Sequence, residues 1–198
     1  MTECFRFCKI GRKPRAAAAA ARRQPAAIGR GEWIMGLFNR ARKGDDDRLI
    51  LKNDEVCLKL DQFVPANREE EIVPAFFFDI CSPDGKKKVG RCDLRIGHNQ
   101  RLYYGGNIGY NVKPRYRGNH YAAKACKLLF GLAKEQRLGY VIITCNPDNL
   151  PSRRTLEGLC RDLPERQGRM LEIVDLPEDN DMYQAGERQK CVFRYEVE

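Results

Sequence analysis

The most chemically suggestive part of this 198-residue chain is a basic turn that leads into a predicted helix. Residues 113–120 read Lys-Pro-Arg-Tyr-Arg-Gly-Asn-His, and helical periodicity follows from Tyr121 to Gln136. The first N–H groups of a helix have no acceptor within it, and the helix dipole is positive at that end. Arg115 and Arg117 add positive charge at the same place. This combination is typical of an anion site and suits a pyrophosphate.

A glycine-rich segment lies immediately before this turn. Residues 103–112 are predicted to form a strand, yet they contain Gly105, Gly106 and Gly109. Glycine weakens a strand and often marks a bulge or the close approach of a ligand to the backbone. A bulge would leave N–H and C=O groups without strand partners. An open strand beside a phosphate-binding helix end predicts a site for an extended cofactor with a phosphate tail.

These two segments belong to a series of elements that must position them. Strands are predicted over residues 55–60, 74–81, 89–96, 103–112, 140–145, 171–174 and 191–197, and helices over 121–136 and 149–159. Ser-Pro-Asp-Gly at residues 82–85 predicts a hairpin turn. The order of four strands, helix, strand, helix and two strands predicts an α+β domain, with helices flanking a mixed, mainly antiparallel sheet.

The charge of the chain is distributed unevenly along its length. Residues 1–43 hold 11 Lys/Arg and two Asp/Glu, whereas residues 44–198 hold 25 of each, so the net charge of +9 comes from the N-terminal segment. A basic nucleic-acid-binding face on the folded part is therefore not expected. We interpret residues 1–48 as a basic Ala/Arg-rich tail, disordered or an over-extended start before Met35, and residues 49–198 as the domain. The composition also permits a transit peptide.

The remaining composition bounds the location and the chemistry of the protein. Nine scattered cysteines without a Cys-x-x-Cys pair, together with only two histidines, predict no metal site. Free thiols in that number predict a reducing compartment, most simply the cytoplasm. No apolar run approaches the ~20 residues of a membrane span, so no membrane partner is expected.

Two short motifs resemble those of a known family. Arg-Gly-Asn-His-Tyr-Ala at residues 117–122 resembles the Arg/Gln-x-x-Gly-x-Gly/Ala signature of the GNAT-type N-acetyltransferases, which bind acetyl-coenzyme A. Asn-Leu-Pro-Ser at residues 149–152 resembles the family's Asn-x-x-Ala/Ser element at the start of the next helix. The resemblance covers residues 50–198 and implies a GNAT-like sheet that is splayed between the fourth and fifth predicted strands.

The resemblance also implies how the co-substrate acetyl-coenzyme A is bound. The main chain of Ile108, Tyr110 and Val112 would pair with the pantetheine arm and polarise the thioester carbonyl, and Asn149 would hydrogen-bond the cofactor. The acetyl group would pass directly to a primary amine of a small molecule or a peptide. The pyrophosphate would be held by consecutive N–H groups, those of Arg117, Gly118, Asn119, His120, Tyr121, Ala122 and Ala123.

The sequence departs from the family pattern at the positions of the general acid and the general base. His120 stands in place of the first glycine of the signature, and Leu156 stands where many relatives have the tyrosine thought to protonate the thiolate. The fourth predicted strand also lacks the glutamate that many relatives use as a base. The candidates to replace these groups are Asn107 holding a water, Asp93 as a base, and Tyr183 in the acidic loop 175–187 as a proton donor.

Several alternatives stay open at this stage. Asp93 and the acidic loop could simply be solvated surface groups, and the protein could be an acyl-coenzyme A-binding regulatory module without catalysis. Nucleic-acid binding through the basic tail is a third function. Residues 61–72 are too short for the two helices that roof the acceptor pocket in many relatives. That side is therefore expected to be open, or completed by another chain in a homodimer.

Overall fold

The computed structural model describes residues 49–164 and 167–198, so the predicted basic tail, residues 1–48, lies outside the described residues. The strands are β1 (Ile50–Lys52), β2 (Cys57–Val64), β3 (Ala75–Cys81), β4 (Lys88–Arg95), β5 (Ile108–Val112), β6 (Tyr140–Cys145), β7 (Gly168–Asp175) and β8 (Gln189–Glu196). The helices are α1 (Gln100–Gly105), α2 (Tyr121–Glu135), α3 (Leu150–Asp162) and α4 (Asp181–Gln184), with a 3₁₀ turn at Pro114–Tyr116.

The described strands form two sheets, whereas the sequence predicted one mixed, mainly antiparallel sheet splayed between its fourth and fifth strands. The first has the order β1-β2-β3-β4-β5 and the second the order β6-β8-β7. Every neighbouring pair is antiparallel. The helices flank these antiparallel sheets, which confirms the predicted α+β class.

One apolar core joins the two sheets. It includes buried side chains of α2 and α3 together with residues from both sheets, among them Phe78, Leu94, Ile143 and Phe193. The Tyr195 hydroxyl in β8 donates to the Leu156 carbonyl of α3 at 2.8 Å, so that buried hydroxyl is satisfied. None of the helices in residues 49–164 and 167–198 is long and apolar enough to cross a membrane.

The predicted strand over residues 103–112 is wrong in its first half. The Asn99 side chain accepts a hydrogen bond from the Leu102 N–H at 2.9 Å and caps the short helix α1. That helix ends at Gly105, and Gly106 follows with φ +76°, a conformation that favours glycine. Of the three glycines, only Gly109 therefore lies in a strand.

The connection between β2 and β3 is short, in agreement with the sequence. It contains a turn closed by a bridge between Asn67 and Ile72, and no helix lies between these two strands. Asn99 and Arg101 of the α1 region donate to the carbonyls of Glu71 and Glu70, at 3.2 Å each. The connection is thereby attached to the start of α1.

Candidate functional site

The basic turn forms an exposed corner between β5 and α2. The Arg117 N–H donates to the Pro114 carbonyl at 3.2 Å, and the Arg117 Nε donates back to the Val112 carbonyl at 3.1 Å. The Asn119 side-chain amide donates to the carbonyls of Tyr116 and Arg117, at 3.1 and 3.3 Å. These local hydrogen bonds hold the corner in one conformation without using its N–H groups beyond residue 117.

The N–H groups that follow have no acceptor among the described residues. The Lys124 N–H donates to the His120 carbonyl at 3.0 Å as the first bond of α2, so the three N–H groups before it have no acceptor in the helix. The N–H groups of the three residues before the helix also bond no acceptor in the described part of the chain. The six consecutive free donors belong to Gly118, Asn119, His120, Tyr121, Ala122 and Ala123.

The backbone of the corner explains why glycine is usual in the signature. Gly118 has φ +83°, and a Cβ built there would meet no atom within 4 Å. His120, which replaces the first glycine of the motif, has φ +57° and precedes α2 without a side-chain capping bond. A left-handed conformation at a non-glycine residue is uncommon and costs energy. His120 therefore keeps the corner's shape, and its exposed side chain stands beside the free N–H groups.

Among the strands of residues 49–164 and 167–198, β5 is the last of its sheet, so one of its edges has no neighbouring strand there. The Arg95 N–H donates to the Asn107 carbonyl at 2.8 Å, and the Lys113 N–H donates to the Val89 carbonyl at 2.9 Å. Hydrogen-bonded pairs alternate with non-bonded pairs along an antiparallel ladder. The odd-numbered residues of β5 therefore bond β4, and the even-numbered residues turn their N–H and C=O groups to the open edge. The even-numbered residues are Ile108, Tyr110 and Val112.

Asn107 joins the start of β5 to β6. Its N–H donates to the Ile142 carbonyl at 2.6 Å, and its side-chain oxygen accepts from the Ile142 N–H at 2.8 Å. Its side-chain nitrogen donates to the carbonyls of Arg95 and Gly97, at 3.0 and 2.8 Å. The residue is fully buried. This leaves no accessible polar atom for the catalytic water that the sequence suggested, and we remove Asn107 from the proton-transfer candidates.

Tyr110 links β5 to the second motif, residues 149–152. Its hydroxyl lies 2.8 Å from the Ser152 hydroxyl oxygen in the first turn of α3. Burial raises the pKa of the Tyr110 hydroxyl, so it stays protonated. Asn149 precedes α3, and its side-chain oxygen accepts from the Ser152 N–H at 3.2 Å. The pairing of Tyr110 with Ser152 was not predicted from the sequence, although the position of Ser152 in the second motif was a usable signal.

Asp93 lies on β4 directly opposite Gly109 of β5 and is 8% exposed. A Cβ at Gly109 would lie 2.6 Å from one carboxylate oxygen of Asp93, so the carboxylate occupies the space that the glycine leaves. The Arg95 guanidinium lies 3.0 Å from the other oxygen. Burial raises the pKa of Asp93, and the Arg95 charge opposes this shift. Asp93 is thus a buried carboxylate beside β5, not a solvated surface group.

Tyr183 lies in α4, within the loop that joins β7 to β8. The Arg188 guanidinium stacks on its ring at 4.1 Å from the centroid. The end of this loop is tied to the end of β6, because the Lys190 ammonium donates to the Asn146 side-chain oxygen at 2.7 Å. No hydrogen bond or ring contact joins Tyr183 to β5 within the described residues. Leu156, at the position of the usual tyrosine, is buried in the core.

Comparison with known proteins identifies the family. The family model for the acetyltransferase (GNAT) domain matches residues 47–159, which is more than half of the chain. An uncharacterized N-acetyltransferase, YnaD of Bacillus subtilis (strain 168), is 34% identical over 70 residues, or 33% of this chain. The match spans 41% of that relative's length.

Solved structures show the same fold. A GNAT-family acetyltransferase from Bacillus anthracis aligns with a TM-score of 0.52 and 16% identity, over 75% of this chain and 99% of its own. A probable GNAT-family acetyltransferase from Chromobacterium violaceum ATCC 12472 aligns with a TM-score of 0.53 and 11% identity, over 92% of this chain and 97% of its own. These findings confirm the resemblance drawn from residues 117–122 and 149–152. The chain belongs to the GNAT acetyltransferase family.

Proposed function

We propose that this protein transfers an acetyl group from acetyl-coenzyme A to a primary amine of a small molecule or a peptide. One observation carries the proposal: within the described residues, six consecutive N–H groups, at the corner and in the first turn of α2, have no acceptor, and the corner follows directly from the open-edged strand β5. The first feature suits a diphosphate, and the second suits an extended chain that carries amide groups. Coenzyme A has both parts in one flexible molecule.

The proposed binding mode assigns each part of the coenzyme to main-chain groups. The pyrophosphate is held by the N–H groups from Gly118 to Ala123, beside Arg117. The pantetheine arm lies along the open edge at Ile108 and Tyr110, on the side towards β6, which belongs to the other sheet. The Val112 carbonyl already accepts a hydrogen bond from the Arg117 Nε, so Val112 contributes only its N–H to coenzyme binding. Asn149 contributes from the start of α3.

The chemistry requires that the amine be neutral when it attacks the thioester carbonyl. An alkylamine has a pKa of ~10.4, so a protein group or a water must accept a proton near neutral pH. We assign this role to Asp93, whose carboxylate lies against Gly109 on the strand that faces the thioester. Main-chain N–H groups of β5 would stabilise the charge that develops on the carbonyl oxygen.

The sulfur leaves as a thiolate and gains from a hydrogen-bond donor. Tyr183 remains a candidate from the sequence. The structure adds the Tyr110–Ser152 hydroxyl pair, which bridges β5 to the first turn of α3. Both candidates are separable by single hydroxyl deletions, because they lie on different elements and share no hydrogen bond within the described residues.

The test has two stages. A thermal-shift titration with coenzyme A and with acetyl-coenzyme A should show stabilisation that follows RT ln(1 + [L]/Kd), about 2.7 kcal/mol at one hundred times Kd. Thiol release on mixing acetyl-coenzyme A with a panel of primary amines then reports transfer. Absence of any shift with either coenzyme overturns the proposal.

A second function is favoured by a specific observation. Leu156 occupies the position of the usual proton donor and is buried, and the Asn107 side chain has no free polar atom. A module that binds acyl-coenzyme A without transferring the acyl group needs neither a proton donor for the thiolate nor a group that holds a catalytic water. Stabilisation by the coenzyme without thiol release for any amine of the panel would support this second function.

A further inference from the structure

We infer that the contact between Gly106–Asn107 and residues 142–144 is the end wall of the acyl site and restricts the donor to short acyl groups. This inference rests on the proposed function, because it takes the thioester to lie along the open edge of β5. The wall lies at the start of β5, since Asn107 immediately precedes the first residue of that strand.

The first observation is that Asn107 seals β5 against β6 with hydrogen bonds. Its N–H and its side-chain oxygen bind both main-chain groups of Ile142, at 2.6 and 2.8 Å, as a neighbouring strand would. Its side-chain nitrogen donates to the carbonyls of Arg95, at the end of β4, and of Gly97, which follows that strand. Rotation of the side chain would break three hydrogen bonds in a fully buried place, so the seal is rigid.

A second, independent observation is the close packing of main chain at the same point. A Cβ at Gly106 would lie 3.2 Å from the Ile142 oxygen and from the Thr144 nitrogen, and 3.4 Å from the Ile143 Cα. The Thr144 hydroxyl adds a hydrogen bond to the Tyr104 carbonyl at 2.8 Å. Backbone therefore lies against backbone here, and no side chain can move aside to admit a ligand.

The position of the wall limits the length of the ligand. Successive residues of a strand rise by about 3.3 Å, so the open edge from Ile108 to Val112 is about 13 Å long. With the pyrophosphate fixed at the corner, the thioester reaches the Ile108 end of this edge. The methyl of an acetyl group then faces Asn107, and each further methylene of a longer acyl group is directed at the wall.

Sideways escape of a longer chain is blocked on both faces of β5. On one face, the Asp93 carboxylate lies against Gly109, and an apolar chain gains nothing beside a buried charge. On the other face, the Tyr110 side chain reaches across to Ser152 above the core. The end wall and these two side chains together define a site with room for a small acyl group.

The first test uses the unaltered protein. Dissociation constants for acetyl-, propionyl-, butyryl- and hexanoyl-coenzyme A are measured by thermal shift, and kcat/KM is measured by thiol release with the fastest amine of the panel. A methylene that a pocket cannot hold changes kcat/KM by roughly 10–200-fold. We expect butyryl- and hexanoyl-coenzyme A to be at least about tenfold poorer than acetyl-coenzyme A.

Each outcome of this series is decisive. Equal binding and equal use of acetyl- and hexanoyl-coenzyme A overturn the wall while the proposed function stands. Failure of every acyl-coenzyme A to bind overturns the proposed function itself, and the wall with it. If the coenzymes bind but none releases thiol, the series of dissociation constants alone decides, because it needs no acceptor.

The second test removes the side-chain half of the wall. Asn107→Ala should lower the ratio of acetyl to hexanoyl affinity by about tenfold, since it opens the end of the site. Asn119→Ala is the matched control, because the Asn119 amide also donates to two main-chain carbonyls, but at the pyrophosphate corner. It should weaken all acyl-coenzymes alike and leave the ratio unchanged. The same change of the affinity ratio in both variants would contradict the inference. If Asn107→Ala does not fold, the acyl-coenzyme A series measured with the unaltered protein decides.

Discussion

The Tyr110 hydroxyl lies 2.8 Å from the Ser152 hydroxyl oxygen and connects the open-edged strand β5 to the first turn of α3. The two residues are 42 positions apart in the chain. Because Ser152 also donates its N–H to the capping Asn149, one short chain of hydrogen bonds runs from β5 to the helix that follows β6. The relative position of these two elements is thereby fixed without a strand ladder between β5 and β6.

Loss of this hydroxyl pair should be measurable in stability. Tyr110→Phe removes one partner of a buried hydrogen bond and should lower the free energy of unfolding by about 1 kcal/mol. Urea denaturation, with the slope of the transition compared between variants, measures this change. An unchanged midpoint would show that the pair contributes nothing to holding β5 against α3.

Gly109 should tolerate no side chain. In Gly109→Ala the new Cβ would lie 2.6 Å from the Asp93 carboxylate, which must move against its ion pair with Arg95. We expect a loss of about 1–3 kcal/mol in the free energy of unfolding, together with a fall in kcat if Asp93 accepts the amine's proton.

Gly131 provides the matched control for that substitution. It lies in the interior of α2, where an added Cβ meets no atom within 4 Å. Gly131→Ala should therefore raise the free energy of unfolding by up to about 1 kcal/mol, as expected for glycine in a helix. Equal destabilisation by the two substitutions would contradict a specific contact between residue 109 and Asp93.

Asp93 should impose a characteristic dependence of stability on pH. Burial raises its pKa in the folded protein above the ordinary value of 3.8, so between these two pKa values the folded state binds more protons than the unfolded state. The stabilisation from protonated Asp93 is therefore present below pH 3.8 and is lost as the pH rises through the folded pKa. Asp93→Asn should lack this loss. As the pH rises from 3.8 through the folded pKa of Asp93, the free energy of unfolding of the variant should therefore increase relative to that of the unaltered protein.

Catalysis should depend on Asp93 in its ionised form, whereas stability is higher with Asp93 protonated. A base must be ionised, so kcat/KM should fall as the pH is lowered through the raised pKa of Asp93. The pH profile of kcat/KM in the unaltered protein, and the absence of that limb in Asp93→Asn, measure this. An acidic limb that survives in Asp93→Asn would assign it to another group.

The sequence predicted the local main-chain geometry of the candidate site. The corner at residues 117–123 depends on a turn followed by a helix, and both are visible in consecutive residues. The strand before it was predicted to begin at residue 103, whereas it begins at Ile108. The capping Asn99 and the left-handed Gly106 were the local signals for a helix instead.

The contacts that depend on packing could not be predicted in this way. Asn107 bonds Ile142 across 35 residues, and its amide is used entirely within the protein. Asp93 could be placed on a strand from the sequence, but its burial depends on Gly109 in the neighbouring strand. Both properties follow from strand register and sheet order, which periodicity alone does not specify.

Arg117 should contribute to binding rather than to the chemical step. Arg117→Ala removes a positive charge beside the free N–H groups and also the bond from its Nε to the Val112 carbonyl. We expect the dissociation constant for coenzyme A to rise about tenfold, with a smaller difference at high salt. Arg91→Ala is the control, since Arg91 is an exposed arginine of β4 that pairs with Asp61 and Asp79. Equal affinities in the two variants would show that the corner does not bind the diphosphate.

The two candidate thiolate donors can be separated by their hydroxyl groups. Tyr183→Phe leaves the ring under the Arg188 guanidinium and removes only the hydroxyl, so stability should stay within about 0.5 kcal/mol of the unaltered protein. If the hydroxyl pair of β5 and α3 assists the leaving sulfur, Ser152→Ala should lower kcat with little change in KM, and Tyr183→Phe should leave kcat unaltered. The reverse pattern would return the role to the acidic loop. Single-turnover measurements, with the protein in excess over acetyl-coenzyme A and with the amine saturating, distinguish a slower chemical step from slower product release, which a change in kcat alone does not.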